Sequence, residues 1–353
     1  MVKECGVALW DAYDLAMLDL DGVVYVGAEA VPDAPEHLEK ARNAGMHLAY
    51  ITNNASRPPT VVAEHLRALG IPADPDDVVS SAQAAARLVA QQVPAGSAVF
   101  VIGGTGLFEA LAEHGLEPVQ TIEEDPVAVV SGYHGDLRWQ TVSAGAILVA
   151  RGLPWVAANM DMSVPTAHGL GPGNGVLVTA VGEFAGRRPL VAGKPMTPLF
   201  EETRLRVGGD RPLVVGDRLD TDIEGAVAAG LDSLLVMTGV TGVDELVAAR
   251  PALRPSYVAA DLSALGEPQP APVALEDGHE LNGWRSRVDG GVLGVDGNGT
   301  VDDWWRVVAA TAWAYFDTTG RVVDASALSV PGSVGREQGH RADRRAQKDG
   351  SGQ

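Results

Sequence analysis

The chain has 353 residues, enough for two or three compact domains, and its 46% hydrophobic and 20% charged residues are those of an ordinary soluble globular protein. A formal charge of −20 argues against nucleic acid or anionic membranes as partners of a basic patch, and it also repels a phosphorylated ligand at long range. A single cysteine, Cys5, excludes an intrachain disulfide and a multi-cysteine metal site; with no leader at the start and no apolar run of membrane-spanning length, the expectation is a cytoplasmic protein.

From residue 15 to about 265, short apolar runs alternate with amphipathic segments of helical length. Leu15 to Leu20 reads as a buried strand, ended by acids and Gly22. Ala34 to Ala44 reads as a helix closed by Gly45, followed by a strand from Met46 to Ile51. The next helix begins near Pro58 and Pro59, carries Val62, Leu66 and Leu69 on one face, and stops at Gly70. Further strands are expected at Ala98–Ile102, Val127–Ser131, Pro154–Ala158, Leu213–Gly216 and Ser233–Met237. Strand–helix–strand repetition with short loops predicts an α/β fold, a doubly wound parallel sheet covered on both faces. Periodicity leaves open whether residues 83–185 extend that sheet or form an inserted unit.

After Leu265 the composition changes. The proline-rich segment 266–274 (GEPQPAPVA) reads as a linker. A small module over 275–331 follows, with four of the seven tryptophans: Trp284, Trp304, Trp305 and Trp313. Asp303 to Phe316 reads as helical, and Gly291–Val295 and Gly320–Val323 as short strands. The tail 332–353 is expected to be disordered.

Four sites carry chemistry. Asp19-Leu20-Asp21-Gly22-Val23 leaves the first strand, and the turn at Gly22 lets both acids converge; the plainer reading is a turn that uses Asp and Gly for their tolerance. Thr52-Asn53-Asn54 offers a hydroxyl and backbone amides that can hold phosphate oxygens, or else an Asx-turn. Lys194, in Gly193-Lys194-Pro195, can reach inward as a point charge or simply lie in solvent. Gly216-Asp217-Arg218-Leu219-Asp220-Thr221-Asp222 is an acid-rich loop of the kind that suits Mg²⁺, or an acidic helix start.

Taken together, DxDGV, the Thr-Asn pair, the lysine of GKP and GDxxxxD resemble the four motifs of the haloacid dehalogenase-like phosphatases. The likeness covers about residues 12–262. About 140 residues separate the second and third motifs, as in the class with a large α/β cap, here 83–185, inserted between core segments 1–82 and 186–265. It is similar to the branch with 4-nitrophenyl, phosphoglycolate and glycerol-3-phosphate phosphatases, through Thr52–Arg57 and the cap segments Ala158-Asn159-Met160-Asp161 and Pro172-Gly173-Asn174-Gly175. Met160 stands where that family usually has proline, which bears on substrate specificity and not on reaction type.

The resemblance implies Asp19 as nucleophile, forming an aspartyl-phosphate, and Asp21 as the acid that protonates the leaving group and later activates water. It implies Mg²⁺ held by Asp19, Asp217 and the Asp21 carbonyl, with Asp222 supporting the ligands or Lys194 from behind. Thr52, the Asn53 amide and Lys194 would bind the phosphoryl oxygens. The cap would close over the core, with Asn159 and Asp161 on a loop near the substrate. A small polyol phosphate is expected, glycerol 3-phosphate first and phosphoglycolate second, and a homodimer through the cap is allowed. The C-terminal module looks like a shortened acetyltransferase fold. Its helix, however, starts with Asp302-Asp303, which repels the pyrophosphate of a coenzyme A, so a docking or stabilising module is preferred over a CoA-binding or regulatory one. A phosphometabolite sensor with a non-catalytic core is the other alternative, and retention of Asp19, Asp21, Lys194, Asp217 and Asp222 argues against it.

Overall fold

A computed structural model describes residues 2–166 and 168–332; all but the first residue of the expected tail lies outside them. The alternation of apolar runs resolves into two parallel sheets. The first has six strands in the order Tyr257–Ala259, Asp232–Val236, Pro212–Gly216, Leu15–Asp19, His47–Thr52 and Val78–Ser80. The second has five, in the order Leu190–Val191, Trp155–Ala157, Ala128–Ser131, Ala98–Ile102 and Glu117–Val119. All ladders within both sheets are parallel.

Strand alternation assigns the two faces of the first sheet. Ala16 and Leu18 join an apolar cluster with Leu38, Leu48, Val62 and Leu66. Leu15 and Met17 face the other way, into a cluster that also holds Val99, Val130 and Val156 of the second sheet and Leu199 and Phe200 of the helix Pro198–Val207. One continuous apolar core thus cements the inserted unit to the first sheet, in place of a solvated hinge. The second sheet also takes its edge strand from Leu190–Val191, past the expected limit at 185. That pairing matters for function, because Lys194 follows this strand.

The C-terminal residues form a four-stranded antiparallel sheet, Val273–Ala274, Gly278–Leu281, Trp284–Asp289 and Val292–Gly297, backed by the helix Val301–Thr319. Thr300 caps that helix by accepting from the Asp303 amide. Trp304, Trp305 and Trp313 are buried in a cluster with Leu235, Leu246, Val247 and Val258 of the first unit. Full burial of each is worth on the order of 3 kcal/mol.

Two expectations are corrected. Gly320–Val323 is not a strand: Gly320 ends the helix in the left-handed conformation at φ 70°, and a single bridge, Val292 to Asp324, follows. The segment 266–274 is not a free linker. Gln269 is fully buried, exchanges two backbone hydrogen bonds with Cys5 at 2.8 Å each, and accepts from Arg306 Nη2 at 2.6 Å. The flanking Pro268 and Pro270 have no amide hydrogen to offer, so the Gln269 amide makes that pairing.

Candidate active site

Strand order locates the site. From the central strand Leu15–Asp19 the chain builds outward to Val78–Ser80, then returns to the other side at Pro212–Gly216. The crevice beyond the carboxyl ends of these two neighbouring strands is the topological switch point, where open α/β sheets bind ligands. Asp19 ends one strand and Asp217 follows the other. Gly22 makes their approach feasible: its φ is +86°, and a Cβ there would overlap the Asp217 carboxylate.

Lys194 enters from the second sheet. Its Nζ donates to Asp19 Oδ1 and to Asp222 Oδ1, each at 2.7 Å, and the residue is 3% exposed. Burial alone would lower its pKa; the two carboxylates outweigh it and hold the ammonium charged, above the ordinary lysine range. Burial raises Asp19 against the opposing pull of Lys194. Asp217 is pushed up to about 8 by burial and then by the nearby Asp222 and Asp19. Burial takes Asp222 to about 6, with Lys194 restraining the rise. Three acids and one cation share this pocket, so without a further cation the three acids cannot all be ionised at neutral pH.

Asp217 Oδ2 accepts from the Val240 amide at 2.6 Å, while its Oδ1 is buried without a hydrogen-bond partner. Asp222 has both oxygens engaged, one by Lys194 and the other by the Arg218 amide at 3.1 Å. Carboxylate oxygens of Asp19, Asp217 and Asp222 lie within 4.8 Å of one another. An orphaned buried oxygen in an all-carboxylate cluster is what a hard divalent cation needs, so these residues fit Mg²⁺.

Asp21 lies at the open mouth. Surrounding protein raises its pKa, opposed by Arg57 and then Lys194. Thr52 Oγ1 accepts from the Asn54 amide at 3.0 Å, which leaves its own hydroxyl proton to donate.

Asn53 does more than its expected backbone role. Its Oδ1 accepts from the Lys194 amide at 2.8 Å, and its Nδ2 donates to the Lys194 carbonyl and to Asp161 Oδ1, each at 3.1 Å. Asn159 is 3% exposed and spends its side chain inside the protein, donating to Asn53 O at 2.6 Å and accepting from the Asp161 amide at 3.1 Å. Asn174 donates in turn to Asn159 O at 2.7 Å. Asp161 is thus held toward the site, its pKa raised by burial against the Asn53 hydrogen bond.

Every residue singled out from the sequence is drawn to this region. Two contributors had no role assigned from the sequence: Arg57 beside Asp21, quoted only as the end of Thr52–Arg57, and the Val240 amide on Asp217. The second had a signal: Thr238-Gly239-Val240-Thr241-Gly242 follows a strand of the same sheet, at the same carboxyl edge.

Comparisons with known proteins bear on the family and the fold. The family model described as haloacid dehalogenase-like hydrolase matches residues 16–117, and a second, HAD-hydrolase-like, matches 191–265. The D-glycerol 3-phosphate phosphatase of Mycobacterium tuberculosis is 42% identical over 299 residues, 82% of this chain and 80% of that protein. The chain therefore belongs to the haloacid dehalogenase-like hydrolases. Among solved structures, the glycerol phosphate phosphatase of M. tuberculosis in complex with magnesium superposes with a TM-score of 0.80 at 40% identity, over 87% of this chain and 92% of that one. A p-nitrophenyl phosphatase from Archaeoglobus fulgidus superposes at 0.66 and 29% identity, over 72% of this chain and 98% of its own.

Proposed function

We propose that this protein is a Mg²⁺-dependent phosphatase of small phosphomonoesters, with glycerol 3-phosphate as substrate, working through an aspartyl-phosphate on Asp19. The observation that carries this reading is Lys194 Nζ at 2.7 Å from both Asp19 and Asp222, beside the unpartnered Asp217 Oδ1. The identity of 42% to the D-glycerol 3-phosphate phosphatase supports the choice of substrate.

Asp19 and Asp217 would hold the cation together with the Asp21 carbonyl. When bound, Mg²⁺ supplies positive charge that offsets repulsion between a carboxylate nucleophile and the phosphoryl oxygens. The other tasks fall to side chains. Asp19 attacks phosphorus in line as the ester oxygen departs. Lys194, the Thr52 hydroxyl and the Asn53 amide stabilise charge on the transferring oxygens. Asp21, whose pKa the surrounding protein shifts upward, acts as the general acid that gives a proton to the leaving alkoxide. It then takes a proton from the water that splits the acyl phosphate, returning Asp19 free. Asp222 holds Lys194 in place with an oxygen it does not share with the Arg218 amide.

Asp161 supports a polyol over an acid as the organic part. A carboxylate accepts hydrogen bonds from the hydroxyls of glycerol and repels the second carboxylate of phosphoglycolate. Phosphate release from glycerol 3-phosphate, phosphoglycolate and p-nitrophenyl phosphate, with Mg²⁺ and with chelator, tests the reading. Activity undiminished by chelator would refute it, and a preference for phosphoglycolate would overturn the substrate.

A further inference from the structure

The C-terminal module has no part in that mechanism, yet its helix Val301–Thr319 touches both flanks of the loop that holds Asp217. The loop is Thr238-Gly239-Val240-Thr241-Gly242. It makes three hydrogen bonds into the site: the Val240 amide to Asp217 Oδ2 at 2.6 Å, the Thr241 amide to Asp217 O at 3.2 Å, and Thr238 Oγ1 to Gly22 O at 2.6 Å. Gly239 packs so closely that a Cβ would overlap the Asp217 carboxylate. A small displacement of this loop therefore moves Asp217.

On the N-terminal flank, the Met237 amide is shared between Ala259 O at 3.1 Å and Ala260 O at 3.2 Å, and the Ala260 amide donates to Asp302 Oδ1 at 2.8 Å. On the C-terminal flank, the helix Val243–Val247 is gripped by Trp313, whose Nε1 donates to Leu246 O at 2.9 Å. Leu219 and Ile223, from the loop that carries Asp217 and Asp222, share an apolar cluster with Trp304, Trp305 and Trp313. One rigid helix thus ties down both ends of a five-residue loop and backs the acidic loop beside it.

We propose that the C-terminal module is a clamp that sets the divalent-cation affinity of the site, with Asp302 and Trp313 as positioning residues acting on Asp217 through residues 238–242. The proposal rests on Asp217 being a Mg²⁺ ligand. Residues that orient a metal ligand change affinity by about 10- to 100-fold when removed, without touching the reacting atoms. The module then needs no ligand of its own: of the acids at its helix start, Asp302 anchors the Ala260 amide, and Asp303 accepts from the capping Thr300 hydroxyl and from Arg306, so neither serves a pyrophosphate site.

The test is calorimetric titration of Mg²⁺ into the full-length protein, with the thermal shift on adding Mg²⁺ and initial rates across Mg²⁺ concentrations. Asp302→Ala and Trp313→Phe are expected to weaken Mg²⁺ binding about ten-fold while turnover at saturating Mg²⁺ is kept. Phe100→Leu, in the core of the inserted unit, is the control for loss of stability alone and should lower Tm with Mg²⁺ affinity unchanged. Wild-type Mg²⁺ affinity in Asp302→Ala, which at 20% side-chain exposure is the milder change, overturns the clamp even where Trp313→Phe fails to fold. Equal weakening in Phe100→Leu overturns it too. Undiminished Mg²⁺ binding by Asp217→Asn would instead overturn the metal assignment, and the clamp with it.

Discussion

Asn53 grips Lys194 by both ends of its backbone, accepting from the Lys194 amide at 2.8 Å and donating to the Lys194 carbonyl at 3.1 Å. The two residues stand 141 apart in the chain and come from different sheets. The same Nδ2 reaches Asp161 Oδ1, so one side chain registers Lys194 and Asp161 against each other. Misplacing a group by about 1 Å can cost about 100-fold in rate. Asn53→Ala should therefore lower kcat by about that factor with little change in far-ultraviolet circular dichroism; wild-type kcat would show that the grip is dispensable.

Asp19→Asn should abolish phosphate release while the protein still folds, because the amide is a poor nucleophile and cannot form the acyl phosphate. Phosphate release at the wild-type rate would exclude the covalent route.

Asp21→Asn should separate substrates by leaving group. Loss of general acid catalysis costs about 10²- to 10⁴-fold for an alkoxide leaving group. The loss on p-nitrophenyl phosphate, whose phenolate departs without a proton, should be much smaller. Equal losses on the two esters would remove Asp21 from the proton-transfer role.

Lys194→Met should destabilise the metal-free protein by about 3 kcal/mol, since it strands two carboxylates in a pocket where the lysine is 3% exposed. Mg²⁺ should recover part of that loss. Chemical denaturation with chelator and with Mg²⁺ measures both effects, and a variant as stable as wild type in chelator would contradict the electrostatic account.

The C-terminal module should also carry an acid-sensitive group. His279 is buried, with Nδ1 at 2.9 Å from Thr311 Oγ1, and burial lowers its pKa below the ordinary histidine value of 6.5. The folded protein then binds fewer protons than the unfolded chain, so stability is fully present above 6.5 and is lost as pH falls through the depressed value. Melting curves from pH 7.5 down to 5 should show a shallower loss in His279→Asn than in wild type; parallel loss would place the sensitivity elsewhere.

Much of this was legible in the chain. A buried strand must be apolar and must end where polar residues begin, so Asp19, Thr52 and Asp217 announce themselves as strand-end residues, and Lys194 as the residue just past one. That the strands form a parallel sheet follows from helix-length connections between them. The brace formed by Asn53, Asn159 and Asn174 was not legible, because an asparagine's partners lie wherever the fold puts them, here 141 residues away for Asn53, 106 for Asn159 and 15 for Asn174.

The sequence by itself determined which residues could do chemistry and that they would leave the carboxyl ends of parallel strands, since local hydrophobicity and turn chemistry are properties of short stretches. Only the tertiary structure decided that Lys194 is delivered by a second sheet, that a proline-rich segment is docked and not free, and that the C-terminal helix reaches the loop behind Asp217. Those are matters of which surfaces bury one another, and burial is settled by the whole chain at once.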